Sequence, residues 1–319
     1  MSKTTASKRR GGFTMPKSTR RIAMTTMNAL GFIGLGVMGE AMCRNLAKKS
    51  GLRVVAFDVR QAPLAALAAD GVERGASVAD VAARTDSVFM CLPGEPQVRH
   101  VALGDGGLAG AVRAGQTVVD CSTAPVPLAR ELARVFGERG VAFADAPVAR
   151  TAQAAKDGTL SIMVGGDADV FARIRPLLAC MGSEVTHCGA AGAGQTVKLM
   201  NNMVVAQTVV ALAEACAVAR ASGAVDPRVL FETLAKGSAD SFVLRNHGMK
   251  SLVPDHHPTE GAFPTTYIIK DLTYAIGLAE ASGVALEQAA TTRRLMERTA
   301  EAGYAKHYYT AVMRVIEGR

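Results

Sequence analysis

Gly34-Leu35-Gly36-Val37-Met38-Gly39 directly follows the apolar run Leu30-Gly31-Phe32-Ile33, a G-x-G-x-x-G spacing between a short strand and the start of a helix. In that setting the first glycine permits a tight turn, the second lets the backbone approach a pyrophosphate, and the third lets the helix pack closely on the strand. The helix N-terminus offers amide N–H groups and the positive end of its dipole to the anion. A second β-branched run, Arg53-Val54-Val55-Ala56-Phe57, ends in Asp58, 24 residues after Gly34. An acid there accepts a hydrogen bond from an adenosine 2′-hydroxyl and repels a 2′-phosphate. The combination favours NAD over NADP, with Arg60 two residues on softening the choice.

Outward from this unit the pattern repeats. Ser87-Val88-Phe89-Met90-Cys91-Leu92, Thr117-Val118-Val119-Asp120 and Val141-Ala142-Phe143-Ala144 read as further strands separated by Ala-rich helical stretches, and Leu160-Ser161-Ile162-Met163-Val164 adds another. Strands alternating with helix-length segments give βαβ units and a parallel sheet. After Gly194 the texture changes, and the last 125 residues carry no strand signal. They read as helices joined by Gly/Pro loops such as Ala224-Val225-Asp226-Pro227, the first helix running from about Gln195 to Ala221. The expected architecture is therefore an α/β Rossmann-type doubly wound parallel sheet over residues 29–192, followed by an all-α domain over 193–319. The long first helix would be the spine between the two, and the apolar faces of the helical domain imply a homo-oligomer, a dimer or tetramer.

Composition narrows the function classes. At 319 residues and 49% hydrophobic, the chain is long enough for two cores, and Gly (32) and Pro (12) are too ordinary for a fibrous or disordered protein. Of the net charge of +8, residues 1–28 hold seven, as Lys3, Lys8, Arg9, Arg10, Lys17, Arg20 and Arg21 with no acid. The body is left with one, so it offers no basic surface for nucleic acid. That leader reads as an unstructured extension, a start placed upstream of Met24 or Met27, or a transit-like peptide. The six cysteines form no C-x-x-C pair and sit among apolar neighbours, which fits a reducing, cytoplasmic setting. The most apolar stretch, Met203 to Ala219, is interrupted by Gln207, Thr208 and Glu214 and is shorter than the roughly 20 residues of a membrane span. No membrane association and no metal site are expected.

Gly31 to Gly39 resembles the opening motif of the β-hydroxyacid dehydrogenases, the family of 3-hydroxyisobutyrate dehydrogenase and tartronate semialdehyde reductase. Three later segments agree in order and spacing, the resemblance covering residues 29 to 319. Asp120-Cys121-Ser122-Thr123 with Asp145-Ala146-Pro147-Val148 is similar to the family's substrate region. Gly194-Gln195-Thr196-Val197-Lys198-Leu199-Met200-Asn201-Asn202 is similar to its catalytic helix, and Lys270-Asp271-Leu272 to its late lysine motif. The resemblance implies that the Leu92-Pro93 backbone contacts the cofactor and that Lys270 reaches the cofactor and the substrate carboxylate.

The residues support the same chemistry on their own terms. Lys198 and Asn202 are four apart on one helix and so share a face near its N-terminal end. Hydride transfer to a carbonyl leaves an oxygen that must receive a proton, and a lysine whose pKa is lowered by burial can donate it near neutral pH. Lys198 is the candidate general acid/base and Asn202 its orienting partner, while Asn201 faces elsewhere. Ser122 and Thr123 follow a strand at its carboxyl end, where a doubly wound sheet binds ligands. Their hydroxyls and amides can hold a carboxylate, and Thr123 also reaches the nicotinamide side. One departure bears on substrate: the family's usual Ser-Gly-Gly is replaced by Ala149-Arg150-Thr151. A guanidinium binds carboxylate, sulfonate or phosphate through paired hydrogen bonds, and the Arg150-Thr151 pair resembles the Gly-Arg-Thr of the sulfolactaldehyde reductase branch. The expected activity is NAD-dependent oxidoreduction of a short 3-hydroxy acid or its semialdehyde, a small anionic substrate. Rival readings are 4-hydroxybutyrate/succinate semialdehyde chemistry, which needs a longer pocket, and a non-catalytic dinucleotide-binding scaffold, which has no use for a proton donor.

Overall fold

A computed structural model describes residues 27–319, so the leader expected over 1–28 lies, apart from Met27 and Asn28, outside the described residues. The strands are β1 Ala29–Ile33, β2 Arg53–Phe57, β3 Glu73–Arg74, β4 Ser87–Met90, β5 Thr117–Asp120, β6 Ala142–Asp145, β7 Val148–Ala149, β8 Leu160–Gly165 and β9 Gly182–Gly189. Around them lie α1 Gly39–Lys49, α2 Gln61–Ala68, α3 Val78–Arg84, α4 Glu95–Leu103, α5 Leu108–Ala111, α6 Val126–Gly137, α7 Ala152–Asp157 and α8 Ala168–Leu178. The helical domain comprises α9 Ala193–Ser222, α10 Pro227–Leu234, a π-type turn Leu244–Leu252, α11 Thr265–Ala281, α12 Glu287–Thr299 and, at its end, α13 Val312–Ile316.

The sheet runs β3-β2-β1-β4-β5-β6-β8, with β7 and β9 both paired to β8. From β3 to β6 every pairing is parallel. The sequence reading of an all-parallel sheet fails only at its far edge, because β8 pairs antiparallel with β6 and β7. The short β7–α7–β8 excursion explains this: six helical residues are too few for a parallel crossover, so the chain turns back on itself. β9 then lies parallel to β8; its alternating polar residues, Glu184, Thr186 and Cys188, masked it in the sequence.

Strand side chains alternate between two cores, one on each face of the sheet. Leu30 and Phe32 of β1, Val54 of β2 and Phe89 of β4 pack with Met42 and Leu46 of α1 and Ile174 of α8. Ile33, Val55 and Val88 point the other way, onto Val81, Leu132 and Phe136. β1 and β4 are buried on both faces, as central strands of a covered sheet must be. This arrangement leaves the carboxyl ends of β1, β2, β4 and β5 pointing at one common crevice.

The spine helix α9 has 30 residues and is thus long and apolar enough to cross a bilayer, which the 17-residue run in the sequence did not suggest. Here it organises the helical domain: Val209, Leu212, Ala213 and Cys216 pack against Phe231, Leu244, Ile268, Met296 and Met313. Gly223, at φ +62°, ends it in a left-handed cap.

Candidate active site

At the nucleotide end the three glycines are distinguished by their surroundings. Gly34 sits at φ +91°, and a Cβ there would stand 2.4 Å from the Cys91 carbonyl oxygen. A Cβ on Gly39 would meet the Gly34 carbonyl oxygen at 2.0 Å, so close helix–strand packing forbids any side chain. Gly36 has nothing within 4 Å of that position. Beside this open ground Val37 is exposed, Leu35 buried and Met38 half-buried; Met38 begins α1 with no side-chain cap on the first-turn amides. A bare helix N-terminus beside open glycine backbone fits a pyrophosphate.

Asp58 is buried at the end of β2, accepting hydrogen bonds from the amides of Leu35 at 2.7 Å and Arg60 at 2.8 Å. The Arg60 guanidinium lies on the same carboxylate, its Nε 3.1 Å from Oδ1, and donates to the Leu35 carbonyl at 2.8 Å. Burial works to raise the Asp58 pKa, but the Arg60 guanidinium and the two amides outweigh it and hold the carboxyl below its usual range. The acid that should greet the adenosine ribose is therefore charged, with its neighbouring cation tied to it.

Deeper in the crevice one turn binds three elements together. The Ser122 hydroxyl accepts from the Leu92 amide at 2.9 Å, joining the ends of β4 and β5. Gln195, in the first turn of α9, donates to the Ser122 carbonyl at 2.7 Å and accepts from the Ala124 amide at 3.1 Å. Asp145 at the end of β6 receives the Gly192 and Gln195 amides at 2.7 and 2.8 Å, anchoring the spine helix to the sheet. Ser122 is consequently a brace between the ends of β4 and β5, its hydroxyl oxygen accepting from Leu92 while its O–H stays a donor.

One turn beyond Gln195 the same helix face carries Lys198 and then Asn202, both buried. Burial lowers the Lys198 pKa to about 8, with Asp271 pulling it back up and Lys270 pushing it down. Asp271 is the organising group: it accepts from Asn202 Nδ2 at 2.5 Å and from Lys270 Nζ at 2.7 Å while itself only 1% exposed. Lys270 also donates to the Thr123 carbonyl at 3.3 Å and lies 4.9 Å over the Tyr274 ring. Tyr274 in turn accepts from the Glu95 amide through its hydroxyl at 3.2 Å, just past Leu92 and the exposed Pro93. Thus α11 is docked on the loops after β4 and β5, and Lys198, Asn202, Lys270 and Thr123 meet around one buried carboxylate.

Arg150 and Thr151 stand outside that cluster. Arg150 holds φ +87°, the conformation that suits glycine, at a cost of about 1–2 kcal/mol for an L side chain. Its exposed guanidinium donates to the Thr159 carbonyl at 2.6 Å and the Ser183 hydroxyl at 3.0 Å. Those partners lie beside Gly158, whose surroundings are Asn45 and Lys49 in the C-terminal half of α1, away from the glycine turn. The expected anion fork is thereby corrected: the side chain latches the β7–β8 excursion to the sheet edge. Thr151 likewise spends its hydroxyl on the N-cap of α7, accepting from the Ala154 amide at 3.2 Å. For Gln195 and Asp271 the sequence carries only weak signals of a role, a polar residue opening an apolar spine helix and an acid next to a site lysine.

Comparison with known proteins agrees with this geometry. Residues 29–189 match the NAD binding domain of 6-phosphogluconate dehydrogenase, and residues 192–316 match the NAD-binding region of NADP-dependent 3-hydroxyisobutyrate dehydrogenase. The chain is 35% identical to 2-hydroxy-3-oxopropionate reductase of Escherichia coli, over 90% of this chain and 97% of that one. It is 33% identical to the NAD-dependent L-serine dehydrogenase of Pseudomonas aeruginosa, over 91% and 98%. The structure of Mycobacterium tuberculosis 3-hydroxyisobutyrate dehydrogenase with L-serine superposes with a TM-score of 0.82 at 31% identity, covering 91% of this chain and 99% of that chain. With a nucleotide cradle at one end of the crevice and a buried lysine at the other, the chain belongs to the β-hydroxyacid dehydrogenase family, as an NAD-dependent oxidoreductase of hydroxy acids and their semialdehydes.

Proposed function

We propose that the substrate is a short carboxylate bearing a primary hydroxyl, or the matching aldehyde, on its third carbon. The observation that carries this is the grouping of Lys198, Asn202 and Lys270 around the Asp271 carboxylate, with Lys270 also donating to the Thr123 carbonyl of the Ser122–Thr123 turn. The glycine turn and Asp58 would hold NAD, which would supply the hydride acceptor or donor. Lys198 exchanges the proton at the substrate oxygen, Asn202 orients that oxygen, and Lys270 and the turn fix the carboxylate. Serine, 3-hydroxyisobutyrate and 2-hydroxy-3-oxopropionate, on which the named relatives act, share that carboxylate and third-carbon oxygen. Turnover of a panel of semialdehydes with NADH tests the reading: three-carbon acid aldehydes should outperform succinate semialdehyde, and a preference for the longer compound would overturn it.

The withdrawn guanidinium of Arg150 supports a carboxylate rather than a sulfonate substrate. Arg150→Gly should change kcat/KM for sulfolactaldehyde and for methylmalonate semialdehyde by less than about threefold, and leave their ratio unchanged. In stability the lost latch and the relieved left-handed backbone nearly offset each other, within about 1 kcal/mol. A selective loss on the sulfonate would return the arginine to the pocket.

For the cofactor, Asp58→Ala should remove the ribose acceptor and release Arg60 toward a 2′-phosphate. A hydrogen bond to a charged group contributes about 1.5–3 kcal/mol, so the NAD-to-NADP ratio of kcat/KM should fall by about 10- to 150-fold. An unchanged ratio would mean that Asp58 does not read the ribose.

Exposed Val197, Val204 and Val218 on α9, with Val229 and Phe242 nearby, support a homo-oligomer, a dimer or tetramer, which light scattering would measure. Six free cysteines, four of them buried, support a reducing cytoplasmic setting.

A further inference from the structure

Two carboxylates stand side by side beneath the crevice. Asp120 ends β5 and Asp145 ends β6, partners in register across a parallel pairing and both fully buried. Their surroundings differ. Asp145 has both oxygens supplied by amides from the start of α9. Asp120 receives the Ser122 amide on Oδ1 at 2.9 Å, while its buried Oδ2 has no hydrogen-bond partner among the described residues. A carboxylate oxygen with no donor in a dry interior is costly, whereas a carboxylic acid needs only half the donors.

We propose that Asp120 is a positioning residue that works as the neutral acid: it holds the Ser122–Thr123 turn through the Ser122 amide without placing a second negative charge beneath a site for an anionic substrate. The carboxylate charge of the pair stays on Asp145, where the spine helix's amides receive it. This rests on the hydroxyacid reading only for the anionic character of the substrate.

The groups facing Asp120 are few. Cys91 follows β4, Cys121 is its own chain neighbour, and Asp145 lies across on β6. Burial pushes the Cys91 thiol up to about 12 and the Cys121 thiol well above its usual value, so both are neutral. Asp120 itself is raised to about 7, by burial first, with hydrogen bonds from Ser122 opposing and the charge of Asp145 adding. Asp145 is raised to about 6 by burial, against the amides of Gly192, Gln195 and Gly194. Since the unfolded acid titrates near 3.8 and the folded one near 7, the fold is fully favoured below about 3.8 and loses that advantage progressively as pH rises to about 7.

The test has a spectroscopic and a kinetic reading. Infrared titration of the native enzyme should show a protonated carboxyl C=O band that disappears near pH 7, and Asp120→Asn should remove it; this requires no turnover. In the native enzyme KM for the anionic substrate should rise about tenfold between about pH 6 and pH 8, the scale of one unscreened charge acting across the site. In Asp120→Asn, KM should stay within about twofold over that range, while the kcat limb set by Lys198 near 8 remains. If that variant does not fold, the native titration alone decides. No protonated carboxyl band near neutral pH, or a native KM profile retained in Asp120→Asn, would overturn the proposal. Failure of every hydroxy acid as substrate with the band intact would instead count against the substrate reading.

Discussion

Lys198→Ala should lower kcat by about 10²- to 10⁴-fold, the range for a positioned general acid or base, while NAD binding at the distant glycine turn changes little. The pH dependence gives the sign of the role. With its pKa lowered to about 8 by burial, Lys198 is mostly protonated below that value and mostly a free amine above it. Aldehyde reduction needs the protonated form, so kcat in that direction should decline above about pH 8. Alcohol oxidation needs the free amine, so kcat should climb through the same range to a plateau. Steady-state rates in both directions across pH provide the check, and reduction retained within threefold in the Ala variant would remove Lys198 from the proton transfer.

Asp271→Asn should cost about 3–4 kcal/mol of transition-state stabilisation, or 10²- to 10³-fold in kcat/KM, since two hydrogen bonds to one buried charge are weakened together. Asn202 and Lys270 both rest on that carboxylate. The substitution preserves shape, so a packing defect is not the cause of the loss. Its second signature is electrostatic. Asp271 raises the Lys198 pKa while burial and Lys270 lower it, so neutralising Asp271 should move the alkaline limb of aldehyde reduction below pH 8. Pre-steady-state rates against pH would show the shift; a full-strength limb in its native place would reduce Asp271 to a structural ion pair.

These two residues mark how far the sequence could be read. Lys198 and Asn202 were legible because four residues on one helix share a face whatever the rest of the chain does. The role of Asp271 is invisible in the sequence, since its partner Asn202 is 69 residues away and the pairing exists only after α9 and α11 pack. Gln195 escaped for the same reason: its bonds to Ser122 and Ala124 span more than 70 residues. Arg150 went the other way. Its chemistry suited an anion, but the left-handed backbone at that position and the nearby Thr159 and Ser183 send the guanidinium outward.

By itself the sequence determined the glycine turn, the Asp58 that follows it, the alternation of strands and helices, and the change to a helical domain after Gly194. All of these depend on backbone propensity and on spacing within a few turns of chain, where neighbours in sequence are neighbours in space. Only the tertiary structure decided the antiparallel edge at β8, the orientation of Arg150, the brace at Ser122 and the burial of Asp120 and Asp145 with the raised pKa values that burial brings. Those depend on which groups lose water and which donors arrive from distant segments, and burial is a property of the packed chain rather than of any residue in it.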